Sequence, residues 1–102
     1  MLIATVNEIP GKTYNVLGMV KGSMVKSKHM GRDIAASFKA LVGGEIRAYT
    51  ELLTEARQIA TDRMIAEARR LGADAIVGVR YASSEIMQNA AEVLAYGTAV
   101  KF

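Results

Sequence analysis

Residues 43–81 read GGEIRAYTELLTEARQIATDRMIAEARRLGADAIVGVRY, and this stretch decides the fold. It predicts one long amphipathic helix, a tight glycine stop and a buried strand. Leu53, Ala56, Ala60, Met64, Ala68 and Leu71 recur at steps of three and four, which is one face of a helix with a 3.6-residue period. Neither Pro nor Gly falls between Glu45 and Leu71, and the residues there are mostly good helix formers. Gly72 stands where a left-handed cap wants glycine, and Arg69 and Arg70 stand where the helix dipole favours cations. At the other end Gly43-Gly44 is a stronger break than Thr50, so the helix is expected over residues 45–71. A second apolar line, Leu52, Ile59 and Ala66, is spaced by seven. It fits either a second packing surface against a neighbouring helix or subunit, or the margin of a single wide buried face.

Beyond Gly72, residues 75–81 (AIVGVRY) form a strand whose apolar run implies cover on both faces. Residues 82–90, ASSEIMQNA, are small and polar and read as a connection. Residues 91–102, AEVLAYGTAVKF, alternate as the last strand, with Leu94, Tyr96, Val100 and Phe102 on one face and Val93, Ala95, Gly97 and Ala99 on the other.

Upstream, residues 2–6 read as a short strand closed by a Pro10-Gly11 turn. Residues 13–26 alternate as a long strand. Tyr14, Val16, Val20 and Met24 share one face with Gly18 and Gly22, while Leu17, Met19 and Val25 share the other with Lys21. Two glycines on one strand face point to strong curvature or to a helix lying close above it. Residues 27–32 form a basic loop, and residues 33–42 a short helix ended by Gly43-Gly44.

The order is therefore β-β-α-α-β-β. The fold class is α+β, a mainly antiparallel curved sheet with the long helix packed on it. A single domain of 102 residues has one core, and 51% apolar against 23% charged residues is globular. Strands apolar on both faces in so small a chain imply homo-oligomerisation. No apolar run approaches the roughly 18 residues of a membrane span. Residues 1–12, MLIATVNEIPGK, show no secretory pattern, so a cytoplasmic protein is expected. The chain has no Cys, which removes disulfides and thiolate metal sites.

Several segments together, GKTYNVLGMVKGSMVKSKHMGRDI (11–34), VGGEIRAYTELL (42–53), RMIAEARRLGADAIVGVRY (63–81) and AEVLAYGTAV (91–100), resemble the YbjQ-like family of small prokaryotic proteins over essentially the whole chain. The resemblance implies a subunit of the kind compared with dodecins, assembled into a closed homo-oligomeric ring, a pentamer. It carries the label "putative heavy-metal-binding" and brings no catalytic residues with it.

The residues themselves offer little chemistry. For a metal, the single histidine, His29, is the candidate, but Lys26, Lys28 and Arg32 surround it and repel a cation. Met24 and Met30 suit copper(I) by type, though methionines at apolar positions usually pack. For a small anion, Lys26, Arg32, Gly43, Gly44 and Arg80 are the right types, and Gly43-Gly44 opening a helix presents main-chain N–H groups. No phosphate-loop or dinucleotide motif accompanies them, and the glycines also read as a bare helix break. The basic run, Lys12, Lys21, Lys26, Lys28 and Arg32 with no acid between, either attracts anions or keeps an edge solvated. A net charge of +3 without Trp points away from nucleic acid. No nucleophile–base pair is present, so no enzyme is expected. A pocket at a subunit junction is expected around Tyr49, Arg80 and Tyr96, with Arg80 or Arg63 alternatively ion-paired to Glu67. The expected function is a small-ligand binding or sequestration module of unknown cofactor. The alternatives are a heavy-metal-binding protein and a purely structural assembly.

Overall fold

The computed structural model describes residues 1–26, 47–87 and 90–102. Strand β1 is Leu2–Ile3, β2 is Asn15–Lys26, helix α1 is Arg47–Arg70, β3 is Ala75–Met87 and β4 is Ala90–Lys101. The described order is thus β-β-α-β-β with one helix, not the six-element order expected. The short helix expected at 33–42 and the basic loop at 27–32 lie outside the described residues.

Among the described residues the sheet has four strands in the order β1-β3-β4-β2, is open rather than closed, and is mixed. Antiparallel β4 lies between β3 and β2, and β1 pairs parallel with β3, Leu2 opposite Ala75 and Ile3 opposite Ile76. The parallel pair reflects the connections. From β2 the chain passes through α1 and returns as β3, so β2 and β3 run the same way and leave a slot that β4 fills. The segment after β1 continues along β3: Val79 N–H donates to Ala4 O (3.0 Å) and Gly78 N–H to Val6 O (2.8 Å). It then crosses the sheet to reach β2, turning at Pro10-Gly11, where Lys12 N–H donates to Ile9 O (3.2 Å).

Helix α1 keeps its predicted register. Ala56, Ala60, Met64 and Ala68 are fully buried. They pack with Val20, Ile76, Val79, Val93, Ala95 and Ala99 as the main core. Of the second apolar line, Ile59 is half-buried and Ala66 exposed. The helix ends as its sequence requires. Gly72 has φ +80°, a value natural to glycine, with Gly72 N–H donating to Arg69 O (3.0 Å) and Ala73 N–H to Ala68 O (3.0 Å). This is the paired-bond stop of a Schellman motif.

Gly22 of β2 lies directly under the helix. A Cβ there would overlap Ala60 O and Met64 N and would stand 2.7 Å from Arg63 Cβ. Glycine at this point and alanine at three of the four core positions let helix backbone sit almost on strand backbone. Arg63 Nη1 donates to Ser23 O of the same strand (2.6 Å). Thr61 and Tyr81 close the other flank, their hydroxyls 2.7 Å apart, while Thr61 also donates to Arg57 O (2.7 Å).

Two bulges change which residues face the helix. Val16 pairs with Val100 and Gly18 with Ala99, so the register shifts at Leu17. Tyr14 and Val16 therefore fall on the face away from the helix, whereas Val20, Gly22 and Met24 face it. The single-face grouping of Tyr14 and Val16 with Val20 and Met24 is corrected accordingly. A second shift lies between Val77 and Arg80, at Gly78 with φ +62°. Strand β3 also runs on to Met87, through residues expected to be a loop or a hairpin connection, and β3 and β4 pair as a hairpin. Antiparallel pairing with Ala90–Lys101 outweighs the weak strand preference of Ser83 and Ser84.

Asp74, in the turn before β3, fastens the end of β4. Its carboxylate accepts from Phe102 N (2.8 Å) and Lys101 Nζ (3.4 Å). The Phe102 backbone bond holds its pKa below the ordinary value against an opposing desolvation, with lesser help from the Lys101 charge. A depressed pKa means the contribution is present above the unfolded value near 4 and fades as pH falls through the folded one. Asp74→Asn should flatten the thermal-denaturation midpoint against pH in the range below about 4, compared with the unmodified chain. An unchanged profile would show that the carboxylate is not linked to folding. Separately, Gly22→Ala should destabilise by about 1–3 kcal/mol in urea unfolding, because the methyl has nowhere to go.

Candidate functional site

The helix covers one face of the sheet. Among the described residues, the opposite face is covered only at one end, where Ile9 and Tyr14 from the crossing loop pack on Ala75, Val77 and Val100. Tyr14 OH donates to Asn7 O (2.7 Å) and pins this cover. Beyond it the face is open, and register determines what it presents.

Three cross-strand rows run over this face, the first of them passing under the cover at Val77, which is buried. Met19, Thr98 and Val77 form the first, Lys21, Tyr96 and Arg80 the second, and Ser23, Leu94 and Ala82 the third. The middle row places a phenol between two cations. With neighbouring strands roughly 4.8 Å apart, the Cα atoms of Lys21 and Arg80 stand about 10 Å apart across Tyr96. Around them lie the Thr98 and Ser23 hydroxyls and apolar Met19, Leu94, Val77 and Ala82. None of the three rows contains an acid. Glu92 comes one row further on, between Val25 and Ser84.

The two cations are held differently. Arg80 Nη1 donates to Thr5 O (3.0 Å) and to Val79 O (2.9 Å), so its guanidinium is fixed at the bulge beside the N-terminal segment. Its remaining N–H groups have no partner among the described residues. Lys21 is exposed and has no ion pair among them. Asp74–Lys101, at 3.4 Å, is the ion pair among the described residues. The alternative pairing of Arg80 with Glu67 is therefore not formed: Glu67 belongs to the helix on the other side of the sheet. Arg63, the other expected partner of Glu67, reaches Ser23 O instead.

Of the residues expected to form a site, Arg80 and Tyr96 are brought together as cross-strand neighbours. Tyr49 lies in α1, the layer on the opposite face. Lys26 ends β2 opposite Ala91. His29, Arg32, Gly43 and Gly44 lie outside the described residues. Sequence reading assigned Lys21 to the basic run without linking it to Tyr96. Strand register supplies that link. A separate hollow of about 670 Å³ runs along residues 8–14 of the loop and shares no lining residue with the row.

For a metal, the described residues supply no group of three or more His, Cys, Asp or Glu placed to hold an ion. No described helix is long and apolar enough to cross a membrane.

Known proteins resemble this chain along its length. A family model described as "Putative heavy-metal-binding", YbjQ, matches residues 1–102. A "UPF0145 protein" of Pseudothermotoga lettingae is 66% identical over 102 residues, covering 99% of this chain and 96% of its own. One from Thermotoga maritima is 62% identical with the same coverage. A crystal structure of a protein of unknown function from the DUF74 family of Pediococcus pentosaceus superposes with a TM-score of 0.61. It covers 100% of this chain and 97% of that one at 20% identity, a likeness of fold alone.

The Arg80 anchorage gives a direct test. Arg80→Ala removes two bonds to main-chain carbonyls and should cost about 0.5–1.5 kcal/mol in urea unfolding. Arg80→Lys should recover only part, since an ammonium does not reproduce the planar fork.

Proposed function

The chain belongs to the YbjQ family, and on that footing we propose that it is a self-assembling small-ligand binding or sequestration module. The observation that carries this is the state of β2. It is an edge strand of 12 residues, and Val16, Leu17, Met19 and Val25 on it are all exposed, Val16 and Met19 at 68% each. A long apolar edge is a template for pairing, and native proteins cover or charge such edges. Among the described residues the second unpaired edge is the outer side of β3 beyond Val79, where the N-terminal segment stops pairing.

A head-to-tail contact joining these two edges covers both at once. Repeated contacts of this kind close into a ring when the rotation between copies allows it. Each Val or Leu buried there contributes on the order of 1.5–3 kcal/mol. The row of Lys21, Tyr96 and Arg80 then lies on the sheet beside the junction, with unpaired donors facing outward. That arrangement suits an anionic small molecule better than a metal ion, because the described donors are cations and hydroxyls.

Native mass spectrometry of the protein prepared without chelating tags tests the assembly. A discrete oligomer is expected, five copies being the number the family resemblance implies. Val16→Glu should shift it toward monomer by placing a charge in the apolar contact. A monomeric unmodified chain would overturn the reading. An adduct on the oligomer would give the mass of the ligand directly, and elemental analysis would separate metal from organic molecule.

A further inference from the structure

The bare face combines two features that recognise different parts of one molecule. The cations Lys21 and Arg80 flank Tyr96, and the three rows hold no acid to neutralise them. Immediately beside them stand Met19, exposed, and Leu94, half-buried. Arg80 is already fixed by Thr5 O and Val79 O, so it loses little freedom on binding, whereas Lys21 can swing on its flexible stem. Tyr96 is half-buried, and its hydroxyl has no hydrogen-bond partner among the described residues. A flat apolar body laid on Tyr96 and Met19 would place an attached oxyanion within reach of Lys21, the phenol and the Thr98 hydroxyl.

We infer that the Lys21–Tyr96–Arg80 row binds a small organic anion, a phosphate or carboxylate group carried on a planar apolar body. This rests on the small-ligand reading above and gives that ligand its chemical class. The cations supply charge-assisted hydrogen bonds to the oxyanion. The Tyr96 ring, Met19 and Leu94 favour the organic ligand over the bare inorganic ion, which has no apolar body to lay on them.

The probe is phenyl phosphate, titrated at low salt into the full chain labelled at its methionine methyl groups, with inorganic phosphate as the second arm. Saturable shifts are expected at Met19, while Met64, fully buried in the core, stays in place and reports that the protein is folded. Inorganic phosphate should bind roughly tenfold more weakly. Lys21→Gln should weaken phenyl phosphate by roughly tenfold or more, and Lys21→Arg should retain most of the affinity. Tyr96→Leu should lower affinity for phenyl phosphate more than for inorganic phosphate. No saturable shift at Met19, or unchanged affinity in folded Lys21→Gln, would overturn the site. Equal affinity for the two probes would overturn the planar-body assignment. Light scattering on the same samples separates this from the assembly reading. Binding by a monomer would leave the anion site standing and the ring fallen, and an assembled protein that binds neither probe would do the reverse.

Discussion

The contact on which the rest of the structure depends is the seating of α1 on β2 at Gly22. Helices ordinarily pack on sheets through side chains. Here main-chain atoms of Ala60 and Met64 occupy the space where a Cβ would be. Alanines at 56, 60 and 68 keep the helix low over the sheet, and Met64 fills the remaining depth. Gly97 on β4 is crowded instead by the neighbouring strand, where a Cβ would stand 2.8 Å from Ile76 Cγ2 of β3. A layer this thin buries small residues thoroughly but leaves one helix to serve one face. Among the described residues the opposite face keeps only the crossing loop, and its uncovered rows become available for recognition.

Much of this was legible in the residues. The three-and-four spacing from Leu53 to Ala68 located the buried helix face. Gly72 announced the stop, and glycines on β2 announced a close helix. The departures share one physical cause: a bulge sets two residues against one, and strict alternation cannot show it. Leu17 and Gly78 each reverse the facing of the residues after them, so Tyr14 parts from Val20, and Arg80 joins the open face. Residues 82–87 lacked the composition of a strand and are held in one by β4. The parallel pairing of β1 was hidden because it depends on where β3 returns, a tertiary matter. Within the candidate site, Arg80 and Tyr96 were recognisable by type. Their partner Lys21 became visible only once Tyr96 was known to lie between Lys21 and Arg80.

The polar interactions divide by purpose. Arg63, Thr61 and Tyr81 tie the helix to the two flanks of the sheet, and Asp74 ties the end of β4 to the turn after the helix. Arg80 ties β3 to the N-terminal segment. Each joins segments far apart in sequence, so each reinforces the topology rather than a local turn. Among the described residues no buried side-chain nitrogen or oxygen is left without a partner. The described part of the core therefore carries no concealed polar strain, and side-chain donors without a partner there lie where solvent can reach them.

The position of β4 in the sheet has a consequence for how the protein is made. The strand that separates β2 from β3 is the last of the described elements to leave the ribosome. Until it emerges, its two neighbours have nothing to hydrogen-bond across, and β1 can find only a lone strand. The β1–β3 and β2–β4 pairings join residues distant in sequence, a topology that folds slowly relative to helical chains, whereas β3 and β4 form a hairpin. At about 5–20 residues per second, the nascent chain spends seconds with β2 and its apolar side chains unprotected. The helix, whose contacts are local, is the element able to form first and to shield β2 through Gly22 while synthesis finishes. The same seam that shapes the folded domain is thus suited to act as an escort for its most adhesive strand.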